Sequence, residues 1–172
     1  MLSDIAVDDF DAVLALNQSA LPHVNSLSEQ ALRQLVEWSC YCRVVRDGGQ
    51  VAGFLLALPP GLPYESLNYR WFSDRYEDFV YIDRVAIDAA CRRRGFGALL
   101  YEDLHRHAES RSPRVACEVN LVPRNDPSLA FHRRMGYRPV GSQATEGGTK
   151  RVSLLIREGV TGVAGSKGSA YA

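Results

Sequence analysis

Apolar positions set out the first elements. In "VDDFDAVLALNQSAL", Phe10, Val13 and Leu14 share one helical face, and Asp8 or Asp9 stands where an N-cap belongs. "SLSEQALRQLVEW" opens on Ser26 and Glu29 at capping-box spacing and carries Leu32, Leu35 and Val36 as a stripe. A loop around Pro22 joins these two helices. The period then shortens: "CYCRVVRDGGQVAGFLLAL" is two β-rich runs flanking Asp47-Gly48-Gly49, a hairpin turn that suits positive φ. "PPGLPYESLNYRWFSDRYED" keeps no period and predicts a long loop with room for a short helical turn, of the kind that often carries function.

"FVYIDRVAI" predicts a strand and "DAAC" a turn. Residues 97–108 predict a helix with Leu99, Leu100, Leu104 and Ala108 on one side. "RVACEVNLV" is another strand. "NDPSLAFHRRMG" is a short helix with Asn125 or Asp126 as cap, Pro127 in its first turn and Gly136 as a left-handed stop. "YRPVGSQA" and "KRVSLLIRE" are the last two strands, turning near Gly147-Gly148. The order ααββ, then βαβαββ, implies a right-handed crossover and an α/β (α+β) fold, a mixed sheet covered by helices. Residues 1–158 are expected to form a single domain, and the small, polar segment 159–172 a disordered tail.

Composition narrows the function. Lys plus Arg and Asp plus Glu number 20 each, so net charge is zero, which argues against a duplex nucleic-acid binder. No apolar run approaches the roughly 20 residues of a membrane span, and the acidic start "MLSDIAVDDFD" lacks the order of a signal peptide. A cytoplasmic protein is expected, with no membrane partner. The cysteines at 40, 42, 91 and 117 form no C-x-x-C pair or zinc set, which predicts reduced thiols and no metal site.

Against this neutral background, "CRRRGFGALLYEDL" needs a local explanation. A helix start exposes unpaired N–H groups and a partial positive charge. Gly95 and Gly97 leave room beside those amides, and Arg92, Arg93 and Arg94 add cations. The combination suits a phosphate or pyrophosphate. Neither G-x-x-x-x-G-K-[ST] nor G-x-G-x-x-G is complete, since no Lys-Ser or Lys-Thr follows and position 100 is Leu. What remains is R-x-x-G-x-G over Arg92, Gly95 and Gly97. One strand later comes "NDPSLAFHRRMGY", an N-x-x-S-x-x-F-H-x-x-x-G-Y run from Asn125 to Tyr137.

These two motifs, in this order of strands and helices, closely resemble the GNAT N-acetyltransferase superfamily. The resemblance is strong over 79–140 and rests on element order alone before that. It implies a mainly antiparallel mixed sheet whose fourth and fifth family strands splay into a V-shaped slot for acetyl-CoA. Val85, Ala86 and Ile87 match the strand that pairs with pantetheine, as an added strand would. Arg92, Arg93, Arg94, Gly95, Phe96, Gly97 and Ala98 match the pyrophosphate loop. Asn125 and Ser128 match positions that meet the coenzyme from the other side.

The resemblance implies direct transfer of an acetyl group to a primary amine, small molecule or peptide. The Val85 N–H is the leading oxyanion donor. Where the family often has Tyr as the thiolate's acid, this chain has His132, also within coenzyme reach; a half-exposed helix histidine is the bland alternative. Glu118 is the leading base, with Tyr81 and Asp83 behind it and an ion pair with arginine as the competing reading. Period-two alternation puts Tyr81, Asp83 and Val85 on one face and Ile82, Arg84 and Ala86 on the other, unless a bulge shifts the phase.

The aromatics Tyr64, Tyr69, Trp71, Phe72 and Tyr76 either wall the acceptor pocket or pack over the sheet. His23 lies where the family often builds acceptor sites. His105 and His107 are expected at the surface. The family's first strand has only "MLSDIAV" to draw on, so it is short or missing. A homodimer is a further expectation. The competing functions are a non-catalytic acyl-CoA binding module and a structural interaction domain whose arginines contact a partner.

Overall fold

The computed structural model describes residues 1–159; most of the expected tail lies outside the described residues. Seven strands form one sheet: β1 (Leu2–Asp4), β2 (Tyr41–Asp47), β3 (Gln50–Leu58), β4 (Val80–Ile87), β5 (Arg114–Val122), β6 (Arg138–Thr145) and β7 (Lys150–Glu158). They lie in the order β1-β2-β3-β4-β5-β7-β6. Every neighbouring pair is antiparallel except β4 and β5, which run parallel. The family's first strand is therefore present, but only three residues long.

Five α-helices cover the sheet: α1 (Phe10–Ser19), α2 (Glu29–Trp38), α3 (Leu67–Ser73), α4 (Phe96–Glu109) and α5 (Asp126–Arg134). One face buries Leu55, Ala57, Ile82 and Cys117 under Leu100, Tyr101 and Leu104 of α4, with Leu129 and Phe131 of α5 against them. On the other face, Phe10 and Val13 of α1 and Leu32 of α2 cover Val44 and Phe54. Farther along that face, Tyr69 and Phe72 of α3 pack on Leu56, Tyr81 and Leu154. Each buried aliphatic side chain contributes about 1.5–3 kcal/mol by leaving water.

Several expectations change in detail. The cap of α2 is Ser28, whose hydroxyl accepts from the Ala31 N–H, so the Ser26–Glu29 box is not formed. Asp9 makes no side-chain cap on α1; it accepts from the Ala6 N–H and pairs with Arg46. The apolar side of α4 is Leu100, Tyr101, Leu104, His105 and Ala108, while Leu99 is 37% exposed. His105 is buried, not at the surface, because its Nε2 meets the Tyr137 hydroxyl at 2.9 Å. The aromatic segment forms α3, and Tyr69 and Phe72 pack into the core.

On β4 the alternation breaks. Leu56 pairs with Arg84 and Ala57 with Ile82, so Asp83 is an extra residue in the ladder. The bulge moves Val85 to the face of Ile82 and leaves Tyr81 on the other, so Tyr81 and Val85 do not share a face.

Candidate active site

The sheet comes apart at its centre. β4 and β5 pair only at Val80–Val115 and Tyr81–Ala116. Beyond Tyr81, the edge of β4 from Ile82 to Ile87 faces a gap rather than a strand. A cavity of about 120 Å³ fills the parting, lined by Ile82, Val85, Tyr101, Cys117, Ser128 and His132, among others. A larger cavity of about 340 Å³ adjoins it on the α3 side, lined by Tyr64, Asn68, Tyr81, Glu146 and Lys150, among others. Six residues line both: His23, Val24, Asp83, Arg84, Glu118 and Asn120.

In the loop that leads from β4 into α4, whose Tyr101 lines the parting, Arg93 and Gly95 take left-handed backbone, φ 61° and 86°. Gly95 caps α4, and the first backbone bond there runs from the Leu99 N–H to the Gly95 carbonyl. The amides of Phe96, Gly97 and Ala98 precede that bond and have no partner within the helix. A Cβ at Gly95 would project into open space, whereas one at Gly97 would reach the Phe131 ring at 3.7 Å. This helix start and the unpaired β4 edge fit a ligand carrying a diphosphate and an extended arm. Of the three arginines, Arg92 and Arg93 are exposed, but Arg94 is held by Asp47 of the β2–β3 hairpin at 2.6 Å and lies over Phe96.

Asn125 caps α5 by accepting from the Ser128 N–H, which sets Ser128 and His132 on the wall of the parting. His132 is 5% exposed, so it is not a half-exposed helix residue. Its Nδ1 lies 2.8 Å from the Ser128 carbonyl, which can only accept; Nδ1 therefore carries the proton. Nε2 then accepts from the Tyr101 hydroxyl at 2.8 Å. Burial lowers the His132 pKa, so the ring is neutral, with neither nitrogen free to donate. The proton donor of this pair is Tyr101. Period-three spacing from Leu104 would have placed Tyr101 on the buried face.

Glu118 sits on the opposite face, partly buried. The Tyr81 hydroxyl donates to its Oε2 at 2.8 Å. Burial lifts its pKa to about 7, against the smaller opposing effects of Tyr81 and the nearby Asn68 amide. Tyr81 itself is 1% exposed and its phenol is pushed well above the usual range by burial and by Glu118, so it acts as a donor and not as a base. Asp83, the other base candidate, is engaged by Arg84 at 2.7 Å, with the two side chains 3% and 8% exposed. Arg84 also donates to Asn17, whose amide donates to the Asn25 carbonyl, so the bulge is tied to the α1–α2 loop. Tyr64 lines the larger cavity, while Trp71 packs against Gly141 of β6.

Among the described residues, no three His, Cys, Asp or Glu side chains converge as a metal site, and no helix is long and apolar enough to cross a membrane. All four cysteines are unbonded.

A mixed sheet that parts between two parallel strands, the first of them leading into an amide-rich helix start, fits an acyltransferase-type fold. The chain belongs to the acetyltransferase (GNAT) family, whose model matches residues 10–137. Solved structures agree on the fold. The ribosomal-protein-S18-alanine N-acetyltransferase from Escherichia coli superposes with a TM-score of 0.72 at 18% identity, covering 97% of each chain. NAA60 from Arabidopsis thaliana, in complex with a bisubstrate analogue, gives 0.72 at 19%, covering 92% of this chain and 97% of that one. The GNAT-like decarboxylase GphF, in complex with isobutyryl-CoA, gives 0.74 at 20%, covering 92% and 98%. Among curated protein sequences, none matches this chain.

Proposed function

We propose that the protein is an acetyl-CoA-dependent N-acyltransferase that moves an acetyl group to a primary amine. The observation that carries this reading is the position of the Glu118 carboxyl, held by Tyr81 on the wall shared by the two cavities, where burial lifts its pKa to about 7. Taking a proton from an alkylammonium, pKa about 10.4, costs an ordinary carboxylate about 8 kcal/mol, but a carboxylate near 7 only about 5 kcal/mol. A fold shared with a decarboxylase does not choose the chemistry; a proton acceptor facing a second cavity favours transfer.

The coenzyme would supply the acetyl group as a thioester. The amides of Phe96, Gly97 and Ala98, with Arg92 and Arg93, would hold its diphosphate, and the open edge at Val85, Ala86 and Ile87 would bond its arm. Asn125 and Ser128 would close the far side. The Val85 N–H is the proposed donor to the carbonyl oxygen as it gains charge. Tyr81 holds Glu118 in place. Tyr101 would give a hydrogen bond to the departing sulfur, and His132, fixed by the Ser128 carbonyl, would orient Tyr101 and accept when it turns back.

The direct test combines purified protein, acetyl-CoA and a panel of primary amines, with free thiol and acetylated amine measured together. Both are expected to appear in equal amounts. Coenzyme binding without thiol release from any amine would favour the non-catalytic module. Tyr101→Phe is expected to lower kcat roughly 100-fold while changing the dissociation constant for CoA by less than about threefold. His132→Ala should follow the same pattern, since Tyr101 loses its partner. Parental turnover in Tyr101→Phe would remove the phenol from the mechanism.

A further inference from the structure

We infer that the acceptor is an α-amino carbonyl compound, and that the Asn120 side-chain amide reads its oxygen. This rests on the transferase reading and deepens it. Asn120 is 7% exposed, and its Nδ2 is buried without a hydrogen-bond partner among the described residues. Buried amide groups are nearly always paired, and this one belongs to a side chain that lines a cavity, where a ligand's oxygen would supply the missing partner. Asn120 lines both cavities, on the wall where amine and thioester would meet.

Its placement is well defined. Asn120 follows Glu118 by two residues on the same face of β5, about 7 Å along the strand. The pairing with β7 slips immediately afterwards, from Asn120–Val152 to Val122–Arg151. The Asn120 carbonyl accepts the Asn125 N–H at 3.1 Å, which fixes the strand end to the start of α5. Side chains rooted roughly 7 Å apart on one face let an amine nitrogen at Glu118 and an oxygen at Asn120 sit roughly 3 Å apart while each keeps a hydrogen bond to its partner. An α-amino carbonyl spans that gap. Both cations lining the larger cavity are already paired, Arg84 with Asp83 and Lys150 with Glu146, so the oxygen is met by a neutral donor.

Proton affinity agrees with this geometry. An amine beside a carbonyl titrates at about 7.7–8.0, against about 10.4 for an alkylamine. The former is far closer to Glu118.

Alaninamide and sec-butylamine differ mainly in that carbonyl and are compared at equal free-amine concentration. Two quantities are read: kcat/KM with acetyl-CoA, and binding of each amine to protein saturated with free CoA, where no transfer occurs. The parent is expected to favour alaninamide by roughly 30-fold or more in both. Asn120→Ala should weaken alaninamide roughly tenfold or more and alter sec-butylamine less than about threefold. Asn120→Asp keeps the shape, replaces the donor by an acceptor, and should do the same. Equal losses for both amines, or a parent indifferent to the carbonyl, would overturn the inference while leaving transfer intact. Thiol release from neither amine, with or without the carbonyl, would instead remove the transferase reading beneath it.

Discussion

Glu118→Gln is expected to lower kcat roughly 1,000-fold, within the range for removing a general base, and to make the folded protein more stable at alkaline pH. Gln keeps an oxygen for the Tyr81 hydroxyl but cannot take the amine's proton. The stability gain follows from linkage. The folded carboxyl titrates near 7, above its ordinary value of 4.5. Its contribution is therefore fully present below about pH 4.5 and is lost as pH rises through 7. Above pH 8 the ionised side chain costs the fold about 3 kcal/mol, a cost that neutral Gln avoids.

Denaturant melts of parent and variant should therefore lie close at pH 5 and separate by pH 8.5, the variant being the more stable. Parental kcat/KM should rise about tenfold per pH unit below 7 and level off above it, once corrected for the amine's own titration. A kinetic midpoint near 4.5, or full activity in Glu118→Gln, would show that another group takes the proton.

Gly97→Trp is expected to abolish coenzyme binding, with a loss of 100-fold or more read by calorimetric titration. A Cβ at this position meets the Phe131 ring at ordinary contact distance, so Gly97→Ala should bind within about threefold of the parent. An indole cannot continue toward Phe131 and must turn outward over the amides of the helix start. Backbone amides cannot be deleted by substitution, so covering them is the most direct way to test them. Circular dichroism and melting of the variant guard against misfolding. Undiminished CoA affinity in a folded Gly97→Trp would remove the diphosphate from this helix start.

Much of this architecture was legible in the chain. The Asp47-Gly48-Gly49 turn, the Asn125 cap and the Gly136 stop are local chemistry, and the glycines carry the positive φ their positions require. The two motifs after Phe79 pointed to the family that the model match establishes.

What escaped depended on neighbours far along the chain. Asp83 read as a base candidate on the face of Tyr81 and Val85, yet the bulge against Leu56 and Ala57 ties it to Arg84 as a buried ion pair. Arg94 read as a free cation, but its partner Asp47 lies on a hairpin 47 residues earlier. His132 read as an acid, and only the fold brings Tyr101 against its Nε2. Asn120 was findable as the period-two companion of Glu118, but its missing partner appears only in three dimensions.

The parting of β4 from β5 also has a mechanical side. Only two backbone residue pairs join the strands β1–β4 to the strands β5–β7; the rest of the joint is side chains, Leu56 and Leu154 under α3 and Ile82 and Cys117 under α4. The molecule thus carries a seam. Its two leaves are each laced by antiparallel ladders, while the crease between them is held by packing, so a molecule lying in the crease adds contacts to both leaves at once.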